Sequence, residues 1–248
     1  MNIDIPILFE DNDIIVVDKP AGMTVNRAES TMHEMTLQDW AEEKLGIKVK
    51  ALSIKNTDDF YKRGGVVHRL DKETSGILLL AKNPKAFENL QNQFKERTVK
   101  KTYIALAHGK VVPETGEINV PVGRLPWNRE RFGIIPGGRE SNTKYKVISN
   151  FKLSNEQLTL VELYPQSGRT HQIRVHLQYL GHPIFSDFLY AGRKTARKDR
   201  KLLPRVFLHA AKISFLHPVT GETLSFKSSL PEELRKFLPG FKSICAIL

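Results

Sequence analysis

Along this chain, strand-like apolar runs outnumber helical stretches, and the two do not alternate regularly. Regular alternation would predict a doubly wound parallel sheet. Its absence predicts a mixed α+β fold, a large, mainly antiparallel β-sheet flanked by helices and loops. Two runs in "ILFEDNDIIVVDKPAG" surround an Asp/Asn turn, and "GGVVHRL" and "GILLLA" flank a short polar loop. Beyond residue 100 come "KTYIALAHG", "GEINVPVG", "TKYKVISNF" and "QLTLVELYP", and then "AKISFLHPVTGETLSFKSS", which reads as a hairpin.

The helices are fewer and carry clear boundaries. "TLQDWAEEKLG" has Thr36 as N-cap and Gly46 as stop, and "NPKAFENLQNQF" has Asn83 as cap with Pro84 at the first helical position. A third is expected from about Thr170, with Ile173, Leu177 and Leu180 at helical spacing and Gly181 and Pro183 ending it. "PEELRKFL" reads as a short final helix. The Arg-, Gly- and Pro-rich stretch 124–142 is expected to be a long inter-strand loop, and "RKTARKDRKLLPR" (193–205) a basic loop, solvated or facing a nucleic acid; these two loops are the candidates for gripping such a polyanion. With 248 residues, a single catalytic domain over 1–248 is the expectation.

Thirty-eight Lys and Arg against 27 Asp and Glu give a formal charge of +11, which suits a polyanionic partner. The basic residues cluster: 193–205 holds seven against one acid, and "FKERTVKKTY" four against one. No segment reaches the roughly 20 apolar residues of a membrane span, and "MNIDIPILFEDND" lacks the basic lead of a signal peptide. A cytoplasmic protein without membrane association is expected. One cysteine, Cys245, supports neither a disulfide framework nor a cysteine-based zinc site. His171 and His176 are five apart, so they do not share a helix face as a metal pair must. Phosphate-loop, dinucleotide-loop and nucleophile-elbow patterns are missing from the sequence.

What remains is "HRLDKETSGILLLAKN" (68–83), where a lone acid, Asp71, sits among His68, Arg69 and Lys72 before a buried run. Fixed positive charge beside a carboxylate favours its ionised form and poises it for covalent or electrostatic chemistry on an anionic substrate. The plainer alternative is a tight turn in which Asp71 only hydrogen-bonds backbone amides. "SGRTHQIRVH" could likewise be no more than a helix with a basic face, and Tyr103 a strand aromatic.

The combination closely resembles the RluA-type pseudouridine synthases. "HRLDKETSG" is similar to their H-R-L-D-x-x-T-S-G motif, "DKPAGM" (18–23) to their K-P-x-G segment and "KKTYIALAHG" to their K-x-Y strand. "SGRTHQIRVHLQYLGHPIFSD" resembles their G-R-x-H-Q-I-R-x-H motif, and "FLHAAKISFLHPVTGE" their L-H-A strand and H-P hairpin. The resemblance implies a pseudouridine synthase-like fold that isomerises uridine in structured RNA, ribosomal or transfer, without a cofactor. It implies Asp71 as the reacting carboxylate, Tyr103 stacked on the target base and Arg169 paired with the aspartate. Arg69 is implied near the space vacated by the flipped nucleotide, with Arg174 and Lys19 as further substrate-binding or structural contacts. No metal ligand is implied, and a monomer is expected.

The chemistry agrees with that assignment. The N1 glycosidic bond must break and the uracil turn and rejoin through C5, so the base has to leave its stack at a cost of a few kcal/mol. An aromatic face can return about 1 to 3 kcal/mol of it. Many relatives carry an N-terminal S4-type domain, which the 18 residues before Lys19 do not accommodate, and after "KPAGM" this chain reads "TVNRAES" where many have a His-Pro pair. Two rivals remain open. One is a non-catalytic RNA-binding or ribosome-assembly protein on the same fold, which loss of Asp71 or Tyr103 would mark. The other is a glycoside hydrolase, which would need a second catalytic carboxylate.

Overall fold

The computed structural model describes residues 4–28, 31, 33–47, 59–153 and 156–238; Cys245, Glu29 and Ser30 lie outside them. In chain order the elements are β1 (Ile7–Glu10), β2 (Ile14–Lys19), α1 (Leu37–Lys44), α2 (Asp59–Lys62), β3 (Ser75–Ala81) and α3 (Pro84–Lys95). They continue with β4 (Lys100–His108), β5 (Thr115–Asn119), β6 (Val122–Leu125), β7 (Asn128–Ile134), β8 (Asn142–Leu153) and β9 (Glu156–Pro165). The last are α4 (Gln172–Tyr179), α5 (Arg193–Asp199), β10 (Leu208–Leu216), β11 (Thr223–Lys227) and α6 (Glu232–Arg235). The protein is α+β with a large, mainly antiparallel sheet, as the unalternated strand runs predicted.

The chain divides into two compact units, Met1–Lys100 with Lys212–Ser228, and Lys101–Ala211 with Ser229–Leu248. In the first, the strand order is β1-β2-β3-β10, with β11 paired to β10. β2 and β3 run antiparallel from Ile14↔Ala81 to Lys19↔Gly76, and every residue of β3 is buried, so both faces are covered. Ile14, Val16, Ile77 and Leu79 pack on one side with Phe60, Phe87 and Leu90 from α2 and α3. α3 starts where its sequence dictates: the Asn83 side chain accepts from Ala86 N at 2.9 Å and Pro84 occupies the first turn. Thr36 and Asp39 form a reciprocal capping box on α1, and Gly46 follows at φ 64°.

In the second unit the order is β10-β4-β9-β8-β5, with a separate β6–β7 pair. Ile104 and Leu106 of β4, Leu160 of β9, Ile173 and Leu177 of α4, Phe185 and Phe207 form its core. α4 is shorter than expected, starting at Gln172, because His171 before it takes a left-handed conformation at φ 56°.

Three expectations need correction. "GGVVHRL" is not a strand but a segment with one isolated bridge, Val66↔Leu80. The stretch 124–142 is largely a β-hairpin: Leu125 pairs with Asn128 across a two-residue turn, and Phe132 and Ile134 pack against Val122, Val175 and Tyr190. The basic run 193–205 contains helix α5, because its lone acid is an anchor. Asp199 is buried and its Oδ2 accepts from Ser186 N (3.1 Å) and lies 2.9 Å from His108 Nε2. Lys198 pairs with Glu156 at 2.6 Å, and Arg200 donates to the carbonyls of Ser186 and Pro204, both at 3.0 Å.

Candidate active site

The loop that carries Asp71 is fastened to β3 along its approach. Ala81 N donates to Gly65 O at 2.9 Å, and Gly65 sits at φ +76° where a Cβ would lie 2.3 Å from the Ala81 carbonyl oxygen. Only glycine lets the backbone come this close. His68 Nε2 accepts from Leu79 N at 3.0 Å, which places the ring proton on Nδ1, and the ring stacks on Phe94 with centroids 4.7 Å apart. Leu70 is buried immediately before the acid. The Asp71 carbonyl then accepts from Thr74 N at 3.0 Å, closing a turn whose next residues, Thr74 and Ser75, are buried at the start of β3. Asp71 itself is half-buried.

Lys19 secures the far side of this loop. Its side chain is fully buried and its ammonium donates to the carbonyls of Pro20 (2.8 Å), Met23 (2.9 Å) and Lys72 (3.2 Å). Gly22 N donates to the same Lys72 carbonyl at 2.8 Å. Of the two roles expected for Lys19, phosphate contact or structure, this geometry supports the structural one, because the charge is spent on backbone oxygens away from solvent. Arg69 is exposed, and its charge adds to burial in lowering the basicity of the half-buried Arg63 guanidinium, against the opposing pull of Asp59. Two guanidinium groups held near one another favour an anion between or beside them.

In the second unit, Lys101 and Tyr103 project from the same face of β4, two residues apart. Tyr103 is half-buried, pairs with Leu163 of β9 and packs against the core. Lys101 Nζ donates to Ser167 O at 3.2 Å and reaches within 4.0 Å of where a Gly168 side chain would begin. The loop beneath it, which carries Arg169, is organised by Gln172. Its Oε1 accepts from Ser167 Oγ (2.8 Å) and Arg169 N (3.0 Å), while its Nε2 donates to Asn142 O and Thr143 Oγ1, each at 3.0 Å. Arg169 is half-buried, with Nε 3.4 Å from Glu140 O. Lys101 and Gln172 lie inside the sequence motifs, where no role is expected of them. Their signal was the presence of polar residues at positions flanked by core residues.

Arg174 points inward. Its Nε and Nη2 hold Asp187 Oδ2 and Oδ1 at 2.7 and 2.9 Å, and Asp187 also accepts from the backbone N–H groups of Leu189 and Tyr190. Both partners are buried, and of the two roles expected for Arg174 this pair supports the structural one, holding α4 against the 187–190 turn. His176 is buried between Thr143 Oγ1 (3.0 Å) and Ser141 Oγ (3.2 Å), and burial pushes its pKa down to about 4. Ser141 gives its proton to Val120 O at 2.7 Å, so it receives one from His176 Nε2, and the ring is neutral. Among the described residues the one group of three potential metal ligands is Asp11, Asp13 and His217, in the first unit. Asp11 already caps the Asp13 and Ile14 amides at 2.8 Å.

Burial also lowers the Lys101 ammonium to a pKa of about 8 from an ordinary 10.5. The folded protein therefore sheds this proton first, and between those two values the unfolded chain binds more protons than the folded one. Stability attributable to Lys101 must rise with pH across that window and be flat below it. Denaturant midpoints of wild type and Lys101→Met, measured from neutral pH upward, should diverge in favour of wild type above about pH 8. Parallel curves would refute the buried charge.

Residues 13–179 match the family model described as RNA pseudouridylate synthase. An uncharacterised RNA pseudouridine synthase of Bacillus subtilis, YlyB, is 36% identical over 243 residues, which cover 96% of this chain and 73% of that protein. The ribosomal large subunit pseudouridine synthase D of Nitrosomonas europaea is 36% identical over 246 residues, 98% of this chain and 67% of its own. Among solved structures, human RNA pseudouridylate synthase domain containing 1 aligns with a TM-score of 0.71 at 27% identity, covering 97% of this chain and 87% of that one.

Proposed function

Since the chain belongs to the RNA pseudouridylate synthase family and isomerises uridine in RNA to pseudouridine, we propose that Asp71 is the reacting carboxylate and that the substrate is ribosomal RNA of the large subunit. The observation that carries the first part is the construction around Asp71. A half-buried acid stands on a loop fixed to β3 through Gly65 and His68 and to the 20–23 segment through Lys19. A carboxylate meant only for solubility needs no such scaffold, whereas one that must meet a sugar or base carbon within a few tenths of an ångström does.

Each remaining residue has a chemical task. Tyr103 offers an aromatic face to the extruded uracil, returning part of the unstacking cost. Arg169, its backbone fixed by Gln172, carries a permanent positive charge suited to an anionic substrate. Arg69 stands exposed on the Asp71 loop, suited to an RNA phosphate or to the space left by the flipped nucleotide. The uracil that leaves C1′ through N1 is the one that returns through C5, so the reaction consumes no donor or acceptor and balances without a cofactor.

The large-subunit assignment rests on the names of relatives such as that of Nitrosomonas europaea and a pseudouridine synthase C of Vibrio parahaemolyticus, 36% identical over 237 residues. No helix of the described residues is long and apolar enough to cross a membrane. A monomer working in the cytoplasm, where RNA substrates are met, is part of the same proposal. The test is to incubate purified protein with unmodified large-subunit and small-subunit ribosomal transcripts and with transfer RNA, then map pseudouridine at single-nucleotide resolution. New pseudouridine at a defined large-subunit site is the expected result. Modification confined to transfer RNA would remove the substrate assignment and keep the activity.

A further inference from the structure

At the turn of the β6–β7 hairpin, Pro126 and Trp127 connect Leu125 to its partner Asn128, and Trp127 is 77% exposed. Two-residue turns are served by Gly, Asn or Asp, whose backbones accept the required angles. Tryptophan contributes nothing to such a turn, and it forgoes more apolar burial than any smaller residue would. The tip around it is positive: Arg124, Arg129 and Arg131 stand against one acid, Glu130, and Arg124 and Arg129 are exposed.

The hairpin is also held stiff. Arg124 Nη1 donates to Arg129 O across the strands at 3.0 Å, and its guanidinium lies over the Phe132 ring at 5.1 Å. At the base, Val122 and Arg139 exchange backbone hydrogen bonds, both 2.9 Å. Phe132 N donates to the buried Tyr190 hydroxyl at 3.0 Å, and that hydroxyl is hydrogen-bonded to His171 Nδ1, 2.8 Å away. Thus the root of the arm is tied to the residue that precedes α4, two positions from Arg169, while its tip projects a flat ring among cations.

We propose that the β6–β7 hairpin is an RNA-stacking arm, in which Trp127 takes an unpaired base against its indole face while Arg124 and Arg129 contact the flanking phosphates. The partner is RNA with unstacked bases, a loop or bulge, because a base inside a duplex has no free face to offer and an arginine pair alone would not distinguish the two. This rests on the reading of the chain as an enzyme of RNA, and it extends the contact beyond the nucleotide that reacts.

The chain has two tryptophans, Trp40 and Trp127, so Trp40→Phe leaves Trp127 as the sole indole reporter. Two probes are compared, an RNA stem–loop with a uridine-rich loop and a blunt duplex of the same stem. With the stem–loop, acrylamide quenching of Trp127 should drop sharply, and with the duplex it should stay near that of the free protein. Trp127→Ala should weaken stem–loop binding by about tenfold or more and duplex binding by less than about twofold, with Trp127→Phe in between. Unchanged quenching in the stem–loop complex, or equal losses on both RNAs, overturns the proposal. So does a change in the sedimentation of free Trp127→Ala protein, which would make Trp127 a protein contact. Pseudouridine formation by wild type is scored separately. An active wild type whose Trp127→Ala variant binds the stem–loop as tightly as wild type removes the arm alone, and an inactive wild type whose Trp127 is shielded by RNA removes the isomerase reading alone.

Discussion

An Asp71→Asn protein is expected to form no detectable pseudouridine while melting close to wild type. Asparagine keeps the shape and an acceptor oxygen, but it has no charge and is a poor nucleophile and base. The turn at this position is closed by the Asp71 main-chain carbonyl with Thr74 N, and its flanks are held by His68 and Lys19, none of which the substitution touches. The loss of stability should stay within about 1 to 2 kcal/mol, the ordinary range of one substitution, and RNA affinity should survive. If Asp71 served the turn alone, the pattern would reverse, with stability falling and activity persisting in the folded fraction. Pseudouridine yield on the identified RNA, read beside a melting curve of the same preparation, separates the two, and a folded, active Asp71→Asn enzyme would end Asp71's candidacy.

The largest stability effect is expected at Arg174. Removing the guanidinium leaves Asp187, fully buried, without its bidentate partner and, among the described residues, with the backbone amides of Leu189 and Tyr190 as its remaining side-chain donors. Breaking a buried pair in this way costs about 3 to 5 kcal/mol, more than the pair contributes when intact. Arg174→Met should therefore lower the urea midpoint strongly, and adding Asp187→Leu should restore part of the loss because the stranded charge goes with it. A single variant within about 1 kcal/mol of wild type would show that the pair is not buried in solution.

Much of the architecture is legible in the sequence because it is set locally. Asn83 with Pro84, and Thr36 with Asp39, specify helix starts within four residues of chain, and the apolar run of β3 needs no partner to be recognised. The three motifs that bear Asp71, Tyr103 and Arg169 were equally visible. The roles of Lys19 and Arg174 were not, because a cation's fate depends on what it meets: carbonyls at residues 20, 23 and 72 in one case, and Asp187 in the other. Composition misled in two places. The Arg, Gly and Pro content of 124–142 suggested a long inter-strand loop and the charge of 193–205 a solvated one, although the pairing of β6 with β7 and the burial of Ala196 and Asp199 make a hairpin and a helix of them. Gln172 was hidden for a related reason, since its four hydrogen bonds join segments 30 residues apart.

The complete burial of β3 bears on how fast the enzyme can accept successive RNA molecules. A loop hung on a half-exposed strand can fray, and each encounter would then have to order it again at roughly 1 to 2 kcal/mol per residue in lost backbone freedom. The Asp71 loop continues directly into a strand with no face toward water and is stitched to it at Gly65 and His68. Its ordering entropy is lost once, during folding, and binding energy from the rest of the RNA is left for drawing the uridine out of its stack. Slow amide exchange at Leu79 and Ala81, already present without RNA and unchanged on adding it, would be the signature of a loop that waits in place for its substrate.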